Sequence, residues 1–207
     1  MASVSVSVRC VGPVEYQPIG GCVEDIKVDR DTITHTERNS NYSTVILDPV
    51  IKNGIVKIEI EGVNELQGLG IADQTLEIGR NQMPWSKGVE KLIYFGGQGE
   101  ISHIGDVIEG NSEFQYNTYR IAMEVNMDSN PRTLSFFVND LQQKNVIVHI
   151  PEAIRFYAYF HQCKAQFKIL QFERLDTPTA YLQPKECQAW EFGKKWKKEE
   201  KKKCTIQ

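Results

Sequence analysis

The sequence predicts an all-β fold: a two-sheet antiparallel β-sandwich followed by a flexible or partly helical C-terminal tail. Three observations lead there. About a dozen short runs rich in Val, Ile, Phe and Tyr recur along the chain. Turn-forming residues separate them, and no segment before Pro184 carries the 3.6-residue period of an amphipathic helix. At 207 residues the chain suits one domain, 1–175, and a linker with a basic tail, 176–207.

The elements follow in order. Residues 3–8 alternate Ser and Val, the pattern of a half-buried strand. Strand-like runs then cover 23–28, 43–47, 55–60, 69–72, 91–95, 101–104, 119–127, 133–138, 145–150, 154–160 and 165–172. In the run 55–60 Val56, Ile58 and Ile60 take one face, which should point inward. Lys57, Glu59 and Glu61 take the other. Asn53–Gly54, Gly96–Gly97, Asp128–Pro131 and Asn139–Asp140 supply turns.

One stretch narrows the fold. A strand ending in Met127–Asp128, a Ser–Asn–Pro turn, and then Leu134–Ser135–Phe136–Phe137–Val138–Asn139 form a hairpin that resembles the central hairpin of SPRY (B30.2-like) domains. Gly68–Leu69–Gly70–Ile71–Ala72 resembles a further strand of that family, and Pro151–Phe160 its closing region. Two features depart from the pattern. Gly105–Asp106 stands well before the hairpin, so either the intervening loop is expanded or Tyr116–Asn117–Thr118 takes the place of the pair. Asn139–Asp140 stands where Asn–Gly is usual. The resemblance implies a protein- or peptide-binding module working through loops at one end of a rigid scaffold. Exposed aromatics and arginine would carry the contact energy. Arg80 and Trp85, in 77–86, are the leading candidates, followed by Tyr116 and Tyr119 and then Tyr94.

No catalytic constellation stands out. His35, His103, His149 and His161 form no recognisable nucleophile arrangement, and core or surface packing is expected of them. Glu124 and Asp128 read as a solvated face beside the hairpin. Gly96–Gly97–Gln98–Gly99 precedes a strand rather than a helix, so it is a turn and not a phosphate cradle. Five cysteines without a Cys-x-x-Cys pair give no zinc pattern. The expectation is a non-enzyme with no metal and no bound cofactor. A carbohydrate-binding or carbohydrate-active sandwich is the alternative, which two converging carboxylates would favour.

The C-terminus carries the second signal. Cys204–Thr205–Ile206–Gln207 reads as a C-a-a-X box, with Gln pointing to a farnesyl group on Cys204. Lys194, Lys195, Trp196, Lys197, Lys198, Lys201, Lys202 and Lys203 precede it and suit an anionic leaflet. From Lys185 onward eight lysines face four glutamates, a net of +4, so the rest of this −3 chain carries −7. An acidic body disfavours nucleic acid as its ligand. The absence of a signal-peptide pattern and the odd cysteine count suggest a reducing compartment.

These readings combine into a protein-binding adaptor held at the cytosolic face of a membrane, the plasma membrane by preference. Its expected partners are a protein or short peptide, anionic lipids and farnesyltransferase. A soluble or nuclear scaffold with an unmodified basic tail is the other reading of the lysines.

Overall fold

The computed structural model describes residues 11–114, 119–182 and 187–196. The expected strand over 3–8 lies outside them, as do Tyr116, Lys197, Lys198, Lys201, Lys202, Lys203 and Cys204. Within them the chain forms β1 (Gly12–Pro13), β2 (Gln17–Ile19), β3 (Ile26–Asp29), β4 (Thr32–His35), β5 (Ser43–Ile51) and β6 (Ile55–Asn64). Next come β7 (Gly68–Asp73), β8 (Leu92–Gly96), β9 (Ile101–His103), β10 (Asp106–Ile108), β11 (Arg120–Asn126) and β12 (Thr133–Val138). The last five are β13 (Leu141–Gln142), β14 (Asn145–Val148), β15 (Ile154–Phe160), β16 (Gln166–Leu175) and β17 (Gln188–Glu191).

They build two sheets. The larger runs β17-β14-β12-β11-β6-β16-β4-β3, with β1 added on β16 and β13 on β12; the smaller runs β10-β9-β8-β7-β15-β5-β2. Pairing is antiparallel except between β14 and β17, which run parallel. The sandwich is thus the architecture expected. The core lies between the sheets because each strand turns alternate residues inward. Val56, Ile58 and Ile60 of β6 are fully buried there, as expected, facing Leu69 and Ile71 of β7 and Phe156 of β15 in one cluster. Phe95 of the smaller sheet meets Phe136 of the larger at 4.8 Å between ring centroids.

Two turns account for the departures noted in the sequence. Asn139 and Asp140 both adopt positive φ, 50° and 65°. A tight hairpin needs left-handed backbone at both positions, and Asn and Asp tolerate it. Gly105, φ 79°, turns β9 into β10, which begins at Asp106, and residues 109–119 then intervene before β11. The other candidate for the pair's place, Tyr116–Asn117–Thr118, lies outside the described residues.

The chain after β16 departs from the expected loose tail. Residues 176–182 cross the outer face of the larger sheet, and β17 extends that sheet at its β14 edge. Trp190, Phe192 and Trp196 pack against the main core. The Trp190 indole N–H donates to Asn145 at 2.9 Å, and the Trp196 indole N–H donates to the Glu191 carbonyl at 2.8 Å. The Trp196 backbone N–H donates to Asp106 of β10 at 2.6 Å. Since β17 and β10 are the edge strands of the two sheets, this segment closes one open seam of the sandwich, a usual way to protect sheet edges. Large aromatics drive the docking, and the sequence hides it because the partners of Trp190, Phe192 and Trp196 are Asn145, His103 and Asp106, far back in the chain.

Candidate functional site

The long β7–β8 connection covers the outer face of the smaller sheet. Its buried residues Leu76 and Ile78 join Leu92, Tyr94, Tyr157, Tyr159, Ile46 and Ala72 in a second, outer apolar cluster. Leu92 and Tyr94 thus face outward on β8, while Ile93 and Phe95 belong to the main core. The connection presses close to the N-terminal loop. The Gly21 N–H donates to the Ile78 carbonyl at 3.2 Å, and a Cβ on Gly21 would stand 2.1 Å from the Arg80 nitrogen, so only glycine fits.

Arg80 fastens this approach. Its Nε and Nη2 donate to the two carboxylate oxygens of buried Asp25 at 2.8 and 2.7 Å, and Nη1 donates to Glu24 at 2.8 Å. Asn39 and Asn41 donate to the same Asp25 carboxylate at 2.8 and 3.0 Å. The Arg80 hydrogen bonds, helped by Asn41 and Asn39, hold the Asp25 carboxyl well below the usual carboxylate range. Arg80 was singled out as a contact residue; three of its donors are committed to fixing the loop.

Trp85 stands differently. It is 41% exposed and rests edge-on against two buried tyrosines, Tyr94 at 5.1 Å and Tyr159 at 5.5 Å. Tyr94 is held in turn by its hydroxyl, which donates to the Gln67 carbonyl at 2.8 Å. Burial pushes both tyrosine hydroxyls well above their ordinary pKa, so they remain neutral. Tyr42 and His161 continue the aromatic surface beyond Tyr159. Beside Trp85 opens a mostly apolar cavity of about 410 Å³ whose wall includes Leu92, Tyr94, Glu100, His103 and Val107.

Sequence reasoning named Trp85 and Tyr94 in separate loops, and the structure brings them together with neighbours it had not named. Tyr157 and Tyr159, two residues apart on an apolar strand, were the available signal for a second packed face. Tyr119 is not part of this surface. It packs against the main core, and its carbonyl accepts the Gly62 N–H at 3.2 Å. Of the basic tail residues, Lys194 pairs with Glu191, and Trp196 is docked as described.

The groups weighed for catalysis are taken up structurally. Glu124 is buried rather than solvated; it accepts the backbone N–H groups of Thr179 and Ala180 at 3.1 Å, and the Thr179 hydroxyl donates to it as well. Asp128 accepts the Gly54 N–H at 2.8 Å. Both ring nitrogens of His35 face backbone carbonyls, of Thr36 and Asn41. His103 is buried. Its Nε2 accepts the Gly193 N–H at 2.7 Å, which leaves the proton on Nδ1 for the Leu92 carbonyl. Burial pushes the Cys22 thiol up to about 12. No group of three or more metal-ligating side chains occurs among the described residues.

The chain has the fold of a SPRY-type β-sandwich. Solved structures with the same fold include the SPRY domain of human HERC1, with a TM-score of 0.55 at 15% identity, covering 78% of this chain and 98% of that one. The PSpry domain of TRIM65 aligns with a TM-score of 0.53 at 10% identity, over 73% of this chain and 88% of that one. Stonustoxin aligns at 0.53 and 14% identity, over 76% of this chain but 27% of that longer one. No family model matches the chain, and no curated protein matches it in sequence.

Proposed function

We propose that this chain is a non-enzymatic protein-binding module whose contact surface centres on Trp85 and the cavity beside it. One observation carries the reading: a large aromatic is left 41% exposed while its two supporting tyrosines are buried. Rigid, partly exposed aromatics at the rim of an apolar hollow are the side chains that supply most binding energy in protein interfaces. The SPRY-type fold favours the same reading, since SPRY domains resemble one another in working as recognition scaffolds. Glu124 and Asp128, the carboxylates that would favour a carbohydrate-active reading, are engaged by backbone instead.

The second half of the proposal concerns the tail. Farnesylation of Cys204, with the lysines from Lys194 to Lys203 as the second signal, would hold the module at the cytosolic face of a membrane. Cys204 follows the docked Trp196 by eight residues, so the span is short. Fully extended it reaches roughly 28 Å. The cavity and the docked Trp196 share His103, so the recognition surface would stay close to the leaflet.

The test compares full-length chain, Trp85→Ala and Leu141→Ala as baits in cytosolic extract, scored by quantitative mass spectrometry. Leu141 is an exposed apolar residue remote in sequence from the site. Proteins retained by the parent and by Leu141→Ala but lost with Trp85→Ala support the surface. Equal retention by all three overturns it.

A further inference from the structure

The cavity beside Trp85 is lined by a carboxylate with one oxygen that no described residue answers. Glu100 lines it, and its Oε2 is shielded from solvent with no hydrogen-bond donor among the described residues. Such atoms are rare in folded proteins, because a shielded acceptor without a donor is costly to keep. The position is built by the backbone. The Gly96 N–H donates to the Glu100 carbonyl at 2.9 Å, and the Gly99 N–H to the Gly96 carbonyl at 3.0 Å. The carboxylate then lies across the Gly96 Cα, where a Cβ would stand 1.9 Å from Oε1. Any side chain at 96 would displace it.

The remaining wall fits one kind of visitor. Trp85 and Tyr94 offer aromatic rings, which attract cations by their quadrupoles. Val89, Leu92 and Val107 offer apolar surface, which suits the methylene stem of a long basic side chain. The Glu100 carboxylate on the same wall would repel an anion. The body around the cavity is acidic, at −7 without the tail.

Resting on the surface reading above, we infer that this cavity receives a lysine or arginine side chain of the protein partner, its stem along Leu92 and Val107 and its charged head on Glu100. The site therefore sets a specificity: the partner segment carries a basic residue where it meets Trp85.

The test uses full-length ¹⁵N-labelled protein and two small probes, N-acetyl-lysine methylamide and N-acetyl-norleucine methylamide. They share the four-carbon stem, and only the lysine probe carries the terminal ammonium. The readout is the indole N–H resonance of Trp85, assigned with Trp85→Phe. The lysine probe should shift it with an affinity about tenfold above norleucine, and Glu100→Gln should erase that difference. Unchanged thermal unfolding of Glu100→Gln confirms an intact fold. Equal binding of the two probes, or a lysine preference that survives Glu100→Gln, overturns the inference. A rise in probe affinity on changing Lys197, Lys198, Lys201, Lys202 and Lys203 to Gln would make the chain's own tail the occupant, and overturns it too. The two proposals fail separately. Partner retention lost with Trp85→Ala but indifferent to Glu100→Gln removes the cation and leaves the surface. Retention indifferent to Trp85→Ala removes the surface, while the probe titration still reports on the cavity.

Discussion

The guanidinium of Arg80 grips the carboxylate of Asp25 at two points, 2.8 and 2.7 Å, across 55 residues of chain. That pair joins the loop bearing Trp85 to the N-terminal segment, so it governs where Trp85 stands. Replacing Asp25 with Asn removes the charge and presents an amide to other donors. The melting temperature should fall by about 5 °C in differential scanning calorimetry, a moderate effect because Arg80 is half exposed. The pH dependence has a definite sign. The Asp25 carboxyl is depressed in the folded state, so its stabilisation is complete above the ordinary Asp value of about 4. It declines as pH falls from there through the folded value, and Asp25→Asn should lack that part of the acid response.

Glu124 offers a second handle. Its carboxylate gathers the backbone of Thr179 and Ala180 onto the larger sheet, beside Lys57, whose ammonium also reaches the Thr179 hydroxyl at 3.2 Å. Glu124→Gln should cost about 1–2 kcal/mol by denaturant unfolding. The amides of Thr179 and Ala180 should exchange faster, while those of β11 and β12 stay protected. Uniform loss of protection would contradict this docking role.

His103 makes the tail segment sensitive to acid. Burial lowers its pKa, against weaker opposing effects of the Leu92 hydrogen bond and of Glu90 and Asp106. Phe192 and Trp196 stack on the ring at 4.5 and 5.4 Å. Neutral imidazole accepts the Gly193 N–H; the imidazolium cannot. The docked segment is therefore fully stabilised above the ordinary His value of about 6.5 and loses stability as pH falls below it. The Trp196 indole resonance should broaden or shift between pH 7 and 5.5, and His103→Gln should remove that step.

The tail proposal stands on Cys204. Cys204→Ser should move the chain from the membrane to the soluble fraction of its native cell. The parent should elute from membranes as salt rises, because the lysines act through a screened field. Equal membrane association of parent and Cys204→Ser would defeat the anchor.

The sandwich was legible because inward residues such as Val56, Ile58 and Ile60 alternate, and because strand runs carry that period without help from distant contacts. The strand β12 was read to its bounds. β4, Thr32–His35, escaped notice since its four residues hold a single large apolar side chain, Ile33. β17 escaped because its place is set by Trp190 and Trp196 finding Asn145 and Asp106 far back in the chain. Trp85 and Tyr94 could be named from composition. Glu100 could not, since its meaning depends on the room left by Gly96. Arg80 looked like a contact residue for the same reason: Asp25 is its neighbour only in three dimensions.

The central claim is that partners meet the face centred on Trp85. A photo-cross-linking amino acid, p-benzoylphenylalanine, placed at position 85 of the full-length chain tests it directly, with position 141 as the control. The account predicts discrete cross-linked partner bands from position 85 and none of them from position 141. The same bands from both positions, or from position 141 alone, would contradict it.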